Sequence, residues 1–485
     1  MEKILVLNLG GQYDRLIARR VREIRVCSEI LPYSTPIDEI KAGDYKGIIL
    51  IGDDCDSSVH SVSEEIFQLG IPVLAVGAAC EMVASIFDGK VQAGVKEFGK
   101  QDLTVDMTSR LFKEVSIKSA CWMNHTNYIK QVPRGFRISA KTDLCPIAAM
   151  ECEVKKIYCL QFHPEILHTR EGGRIIKNFV GGICGCEGSW TMADFLQSTV
   201  LDLREKIGDK KVLCALSGNI NSTVAAVMLS KVVGNNLTAI FIDHGFLRKN
   251  EARHVESLFK EEFNINLITV DAKERFLGKL VGVEEPGLKK KVLNTEFMRV
   301  FEEEATRLGG TDYLLVGASY PDLIDNEGAL FEGADLGEVL SPFAHLFNEE
   351  VRKIGAALGI PEKLITHQVF PNTGLALRIL GKITKEKIAI IQEADSIFEE
   401  EIEAAGFNRL IARYFAVLSD ASVANDGAVV VLRAVNTSDF MTADWTRLPY
   451  EMIDKVSRRI VNEVKGVSRV VYDVTSNPHA TVEWE

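Results

Sequence analysis

Residues 1–20 read MEKILVLNLGGQYDRLIARR. The run KILVLNL has the apolar, β-branched make-up of a buried strand, and the charged stretch after the glycines reads as a helix. A strand feeding a charged helix is the start of an α/β sheet, not a secretory signal peptide. The same pattern repeats outward: GIILIG (47–52), IPVLAVG (71–77) and KIYCLQF (156–162) alternate with helical stretches as far as Gly188. A second start follows, with ADFLQSTVLDLREKIG (193–208) as a helix and KKVLCALSG (210–218) as a parallel strand running into a turn. NLTAIFIDHG (236–245) and TDYLLVGAS (311–319) continue that βαβ rhythm. From about Lys382 the order changes. The helix EKIAIIQEADSIFEEEIEAAG (386–406) precedes the strands RYFAVLS, AVVVLRAV and, after another helix, SRVVYDVT, which predicts an α+β module with an antiparallel sheet.

The chain has 485 residues, 46% hydrophobic and 26% charged, enough for about three domains with cores of their own. A net charge of −12 argues against a nucleic-acid-binding surface and leaves room only for a local basic nucleotide pocket. No apolar run approaches the roughly 20 residues that span a bilayer. The ten cysteines are scattered without CxxC spacing, and Cys184 and Cys186 alone are too few for a zinc site. They read as reduced thiols of a cytoplasmic protein, and no tightly bound metal is expected.

Longer segments carry a resemblance. MTADWTRLPYEMIDKVSRRIVNEVKGVSRVVYDVTSNPHATVEWE (441–485) resembles the end of glutamine-hydrolysing GMP synthases, as do FIDHGFLRKNEA, VFEEEATRLGGTDYLLVGASYPDLID, NEEVRKIGAALGIP and GLALRILGKITKEKI. QYDRLIARRVREI (12–24) and QFHPEILHT (161–169) are similar to that family's amidotransferase part. The resemblance implies three domains: a class I glutamine amidotransferase-like α/β domain at 1–188, an ATP pyrophosphatase-like domain of adenine-nucleotide α-hydrolase type with a parallel sheet at 189–381, and a small α+β dimerisation domain at 382–485. It also implies ammonia production, adenylation of XMP by ATP with Mg²⁺, and a homodimer.

The motifs depart from the family where chemistry resides. QFHPE supplies the expected His163 and Glu165. The elbow that usually resembles PVLGICYGMQ reads PVLAVGAACE (72–81), which places Gly77 at the nucleophile. Glycine has no side chain for covalent catalysis, and it is expected to relax the strained elbow backbone. Cys80 follows three residues on, about 5 Å along a helix, and is a weak substitute. The plainer reading of His163 and Glu165 alone is a retained structural hydrogen-bonded pair. The family's SGGP is Ile51-Gly52-Asp53-Asp54, and two carboxylates would repel a developing oxyanion.

The phosphate loop, SGGVDSSV in the family, is Ser217-Gly218-Asn219-Ile220-Asn221-Ser222-Thr223-Val224. Asn219 can visit left-handed geometry but its side chain takes space near the phosphates, and Asn221 replaces a carboxylate by a neutral amide, so ATP and Mg²⁺ are expected to bind weakly. The plainer reading of this loop is a helix start capped by Ser and Asn. Asp243 matches a family acidic position, and capping explains it as well. The acceptor-nucleotide lid, KSHHN in the family, is replaced by an acidic interval after Tyr320-Pro321-Asp322, and PFPGPGLAIR becomes VFPNTGLALR (369–378). Arg378, Arg469, Thr481 and Glu483 match nucleotide contacts, while the family's terminal lysine is Asn477.

The expectation is therefore a GMP synthase-like, catalytically degenerate paralogue. It would act by binding a purine nucleotide, a partner or an intact GMP synthase subunit. The alternatives are an ATP-dependent carbon–nitrogen ligase on another acceptor, with ammonia as nitrogen source, and a GMP synthase that aminates XMP to GMP.

Overall fold

The sheet expected from the first strands is present. In the computed structural model, which describes residues 2–11, 13–52, 61–320, 322, 336–366, 368, 373–423, 427–436, 444–476 and 484, the chain divides into two units, Met1–Thr191 and Met192–Glu485.

The first unit contains β1 (Lys3–Asn8), β2 (Cys27–Pro32), β3 (Gly47–Gly52), β4 (Val73–Gly77), β5 (Lys90–Val105), β6 (Lys118–Gln131), β7 (Arg137–Lys141), β8 (Ala149–Cys152) and β9 (Ile157–Leu160). They form one sheet in the order β2-β1-β3-β4-β9-β8-β7-β5-β6. The half from β2 to β9 is parallel and the half from β9 to β6 is antiparallel. Helices cover the parallel strands on both faces, which is why β3 and β4 are buried along their whole length. The helix Asp14–Glu23 turns Ile17, Ala18 and Val21 inward and its arginines outward.

In the second unit β10 (Val212–Leu216), β11 (Leu237–Asp243), β12 (Asn266–Asp271), β13 (Tyr313–Leu315) and β14 (Glu338–Leu340) form a parallel sheet in the order β12-β11-β10-β13-β14. A smaller sheet holds β15 (Arg413–Val423), β16 (Gly427–Asn436), β17 (Asp444–Trp445) and β18 (Val467–Tyr472). β15 and β17 run antiparallel to β16, as expected, but β18 runs parallel to it. The helix Tyr450–Glu463 lies between β17 and β18 in sequence and carries the chain back to begin β18 at the same end as β16.

One hydrophobic core joins both sheets of this unit, from Leu213 and Ile240 through Phe301 and Ile391 to Leu432 and Ile460. The buried Lys289 ties it across, its Nζ donating to the carbonyls of Ile379 (2.6 Å) and Gly381 (2.8 Å).

Candidate active sites

In the first unit β4 ends at Gly77 and the helix Ala78–Ile86 begins at the next residue. Gly77 has φ +63° and ψ −131°, a conformation open at little strain only to glycine. The sharp strand-to-helix elbow is thus kept. Glycine adopts this conformation without the strain that a Cβ would bring. A Cβ on residue 77 would stand 3.1 Å from His163 Nε2 and 2.9 Å from its Cε1, so the side-chain-free position does face the histidine. That Cβ would also lie 2.4 Å from the Gly52 carbonyl oxygen, which stands in the space a side chain would use.

The His163 ring is held from several sides. Its Nδ1 is 2.7 Å from Glu165 Oε1, both side chains are fully buried, and Tyr13 packs edge-on with ring centroids 4.9 Å apart. The backbone is fixed by His163 N–H to the Trp122 carbonyl (3.0 Å) and by Thr169 Oγ1–H to the His163 carbonyl (2.6 Å). Nδ1–H donated to a carboxylate makes Nε2 the basic nitrogen, aimed at residue 77. Cys80 sits in the apolar core with Ile48, Leu50, Val83 and Cys159. Burial and its hydrogen bond to Cys159 push the thiol well above its ordinary pKa, the reverse of what a nucleophile requires. Asp53 and Asp54 lie outside the described residues.

In the second unit the loop after β10 leads into the helix Ile220–Val233. Gly218 takes the left-handed conformation (φ +83°) and Asn219 does not: at φ −73°, ψ 156° it is extended and occupies the N-cap position. Ser222 Oγ lies 3.1 Å from Ser217 Oγ and accepts from Ser217 N–H (3.3 Å), and Thr223 Oγ1–H donates to the Asn219 carbonyl (2.9 Å). Asn221 is buried and donates from Nδ2 to Asp322 Oδ2 (2.9 Å) and Asn348 Oδ1 (2.7 Å). Asp322 also accepts from Ser319 N–H (2.8 Å) and Oγ–H (2.6 Å).

This loop borders a cleft whose far wall is apolar, with Leu247, Phe276 and Phe297, and whose near wall holds Ser217, Asn221 and Asp322. Apolar side chains facing a loop of hydroxyls and amides are the make-up of a small-molecule pocket. No Lys or Arg is among the described lining residues. For Mg²⁺ the donors present are Asp322 and the buried Asn221 Oδ1, which has no hydrogen-bond partner among the described residues. They fit a cation with one negative charge fewer than a pair of carboxylates would supply.

Asp243 accepts from Gly245 N–H (3.0 Å) and pairs with Lys273 Nζ (3.0 Å), so both its oxygens hold the turn after β11. Arg378 is buried, 4.2 Å above the Phe415 ring and 3.7 Å from Asp395. Arg469 is exposed on β18, opposite Val429 of β16. Thr481, Glu483, Asn477, Pro321 and the interval 323–335 lie outside the described residues. The sequence reading missed Asp322 and Asn348 as partners of Asn221. Asp322 was visible only as part of YPD, and no local pattern links it to a residue about a hundred positions earlier.

Residues 5–182 match the glutamine amidotransferase class-I family and residues 400–484 the GMP synthase C terminal domain. A protein of Acetivibrio thermocellus named GMP synthase [glutamine-hydrolyzing] is 48% identical over 508 residues, covering 100% of this chain and 99% of that protein. One of the same name from Clostridium botulinum is 49% identical over 510 residues, with the same coverage. Both alignments are longer than the chain, so these relatives carry residues that it lacks. The crystal structure of a putative GMP synthase component from Thermoplasma acidophilum aligns with 38% of this chain and 94% of its own, at 30% identity and TM-score 0.36. Identity near one half along the whole length places this chain in the glutamine-hydrolysing GMP synthase family.

Proposed function

We propose that this member of the family has no glutaminase activity and acts by binding a purine nucleotide or a protein partner. One observation carries the reading: the position that His163 Nε2 faces is Gly77. Hydrolysis of the glutamine amide by this route needs a sulfur there to form the thioester, and His163 with Glu165 can only move protons to and from a nucleophile. Cys80, enclosed beside Cys159, does not replace it.

The same reading takes ATP and Mg²⁺ as weakened ligands of the Ser217–Thr223 loop, since Asn221 contributes a neutral oxygen where the family motif has a carboxylate. Partners are a second copy of the chain through residues 382–485, or an intact GMP synthase subunit through the same surface, and the three-domain division at 188 and 381 belongs to this reading. No helix among the described residues is long and apolar enough to cross a membrane.

The test is made on the full chain with glutamine, XMP, ATP and Mg²⁺. Ammonia release should equal the protein-free blank, while a purine nucleotide should raise the melting temperature, and Ser217→Ala should abolish that rise. Ammonia above the blank overturns the reading, and its loss in Cys80→Ser would make Cys80 the nucleophile. A second reading is favoured by the intact strand–loop–helix with Gly218 in the left-handed region: an ATP-dependent carbon–nitrogen ligase fed by free ammonia, acting on XMP or another acceptor. Acceptor-dependent pyrophosphate release that disappears in Ser217→Ala would establish it.

A further inference from the structure

The antiparallel half of the first unit encloses a second group of reactive side chains. Glu97 on β5 and His125 on β6 are direct cross-strand partners, and a register shift between Ala93 and Glu97 precedes the pair. Such bulges re-aim side chains, and this one lets Glu97 turn into the interior. Cys145, in the turn between β7 and β8, completes the group. The ligand atoms of Glu97, His125 and Cys145 all lie within 4.8 Å of one another, and all three residues are buried to about 1% exposure or less.

The contrast with His163 is informative. There the imidazole meets its carboxylate at 2.7 Å in hydrogen-bond geometry. Here His125 Nε2 is 3.3 Å from Glu97 Oε2, yet neither ring nitrogen has a hydrogen-bond partner among the described residues. Glu97 is itself fixed by Thr142 Oγ1–H, 2.9 Å from Oε1, and pairs with no Lys or Arg among the described residues. A buried carboxylate with no Lys or Arg partner among the described residues, beside a buried imidazole without a hydrogen bond, is an expensive arrangement. Donor atoms around a tetrahedral zinc ion, bound at about 2.0–2.3 Å, lie roughly 3.3–3.7 Å apart. The Glu97–His125 separation already has that value.

We propose that Glu97, His125 and Cys145 form a binding site for a transition-metal ion of zinc type, one that clamps β5, β6 and the β7–β8 turn together. Thiolate, imidazole and carboxylate in one set suit zinc rather than calcium or magnesium, which take oxygen ligands. Gln161 Oε1, 3.2 Å from Cys145 Sγ, offers a fourth donor. The outer contacts are also in place: Thr142 orients Glu97, and Gln161 is held by accepting from Ile129 N–H (3.2 Å). The sequence reading found no metal spacing because the three residues lie tens of positions apart and meet only through strand pairing.

The site is independent of the chemistry at residue 77, and its test needs no activity. Full-length protein produced in zinc-supplemented medium should carry about one metal ion per chain after gel filtration. Protein produced with cobalt in place of zinc should show the visible bands of tetrahedral cobalt and a thiolate-to-cobalt charge-transfer band in the near ultraviolet. Cys145→Ser should remove the charge-transfer band, and Glu97→Gln should lower metal content about tenfold or more. Cys184→Ser should change neither. Folded wild-type protein free of zinc and without the cobalt bands overturns the proposal, and so does a charge-transfer band that survives Cys145→Ser. If Cys145→Ser does not fold, Glu97→Gln decides: unchanged metal content in the folded variant overturns the site.

Discussion

The α-carbon of Gly77 presents its missing side chain to His163, with Nε2 only 3.1 Å from where a Cβ would be, while the Gly52 carbonyl occupies the same space from the other side at 2.4 Å. The His163–Glu165 pair is therefore assembled and pointed at a position that carries no side chain and is hemmed in by the Gly52 carbonyl.

Restoring the sulfur alone should not restore the reaction. Gly77→Cys and Gly77→Ala should both lower the unfolding free energy by about 1–3 kcal/mol, since any Cβ must hold φ +63° and displace the Gly52 carbonyl. Urea unfolding gives the loss, and ammonia release from glutamine by Gly77→Cys should stay at the blank.

Cys80 should be silent toward electrophiles in the native state. Burial keeps its thiol protonated and the surrounding core denies access. Mass spectrometry after a short alkylation should find it unmodified in native protein and fully modified in denaturant.

Asn221→Asp should make stability depend on Mg²⁺ much more strongly than it does in the unaltered chain. The new carboxylate would face Asp322 in a buried site and lose the donated hydrogen bond, costing about 1–3 kcal/mol without a cation. Thermal melts should show the variant destabilised in chelator and stabilised by added Mg²⁺, with a much smaller Mg²⁺ effect on the unaltered protein. Equal Mg²⁺ responses would remove this residue from any cation site.

Glu399 sets a pH dependence of opposite sign to the usual carboxylate. Burial lifts its pKa from 4.5 to about 7, although Arg248, 3.2 Å away, pulls the other way. The folded state then binds the proton more tightly than the unfolded one, so the contribution is complete below about pH 4.5 and is lost as pH rises toward about 7. Urea midpoints measured across that window should fall more steeply with pH for the unaltered chain than for Glu399→Gln.

Most of the framework was legible because it is written in short apolar runs. KILVLNL, GIILIG, IPVLAVG and KIYCLQF became β1, β3, β4 and β9 of one sheet, and VLCAL and LTAIFID became neighbouring parallel strands. The direction of β18 was not legible, since a helical crossover and a hairpin differ in geometry that no residue of SRVVYDVT records. At the sites the division is similar. His163 and Glu165 stand two residues apart in QFHPE and could be paired on sight. Asn221 with Asp322 and Asn348, and Glu97 with His125 and Cys145, are joined only by folding over long separations. Removing a side chain removes the strain of a turn, but its direction is set by the flanking β4 and helix, which are still there.

The continuous core that runs from β10 to the helix Tyr450–Glu463, tied by Lys289 to the chain at Ile379 and Gly381, binds the fate of the last hundred residues to that of the cleft beside the Ser217–Thr223 loop. A chain severed after Gly381 would leave two fragments, each with a raw oily face, and neither should melt as a separate cooperative block. In such a body, residues at a catalytic mouth can be exchanged one at a time, whereas whole segments cannot be discarded without unravelling their neighbours.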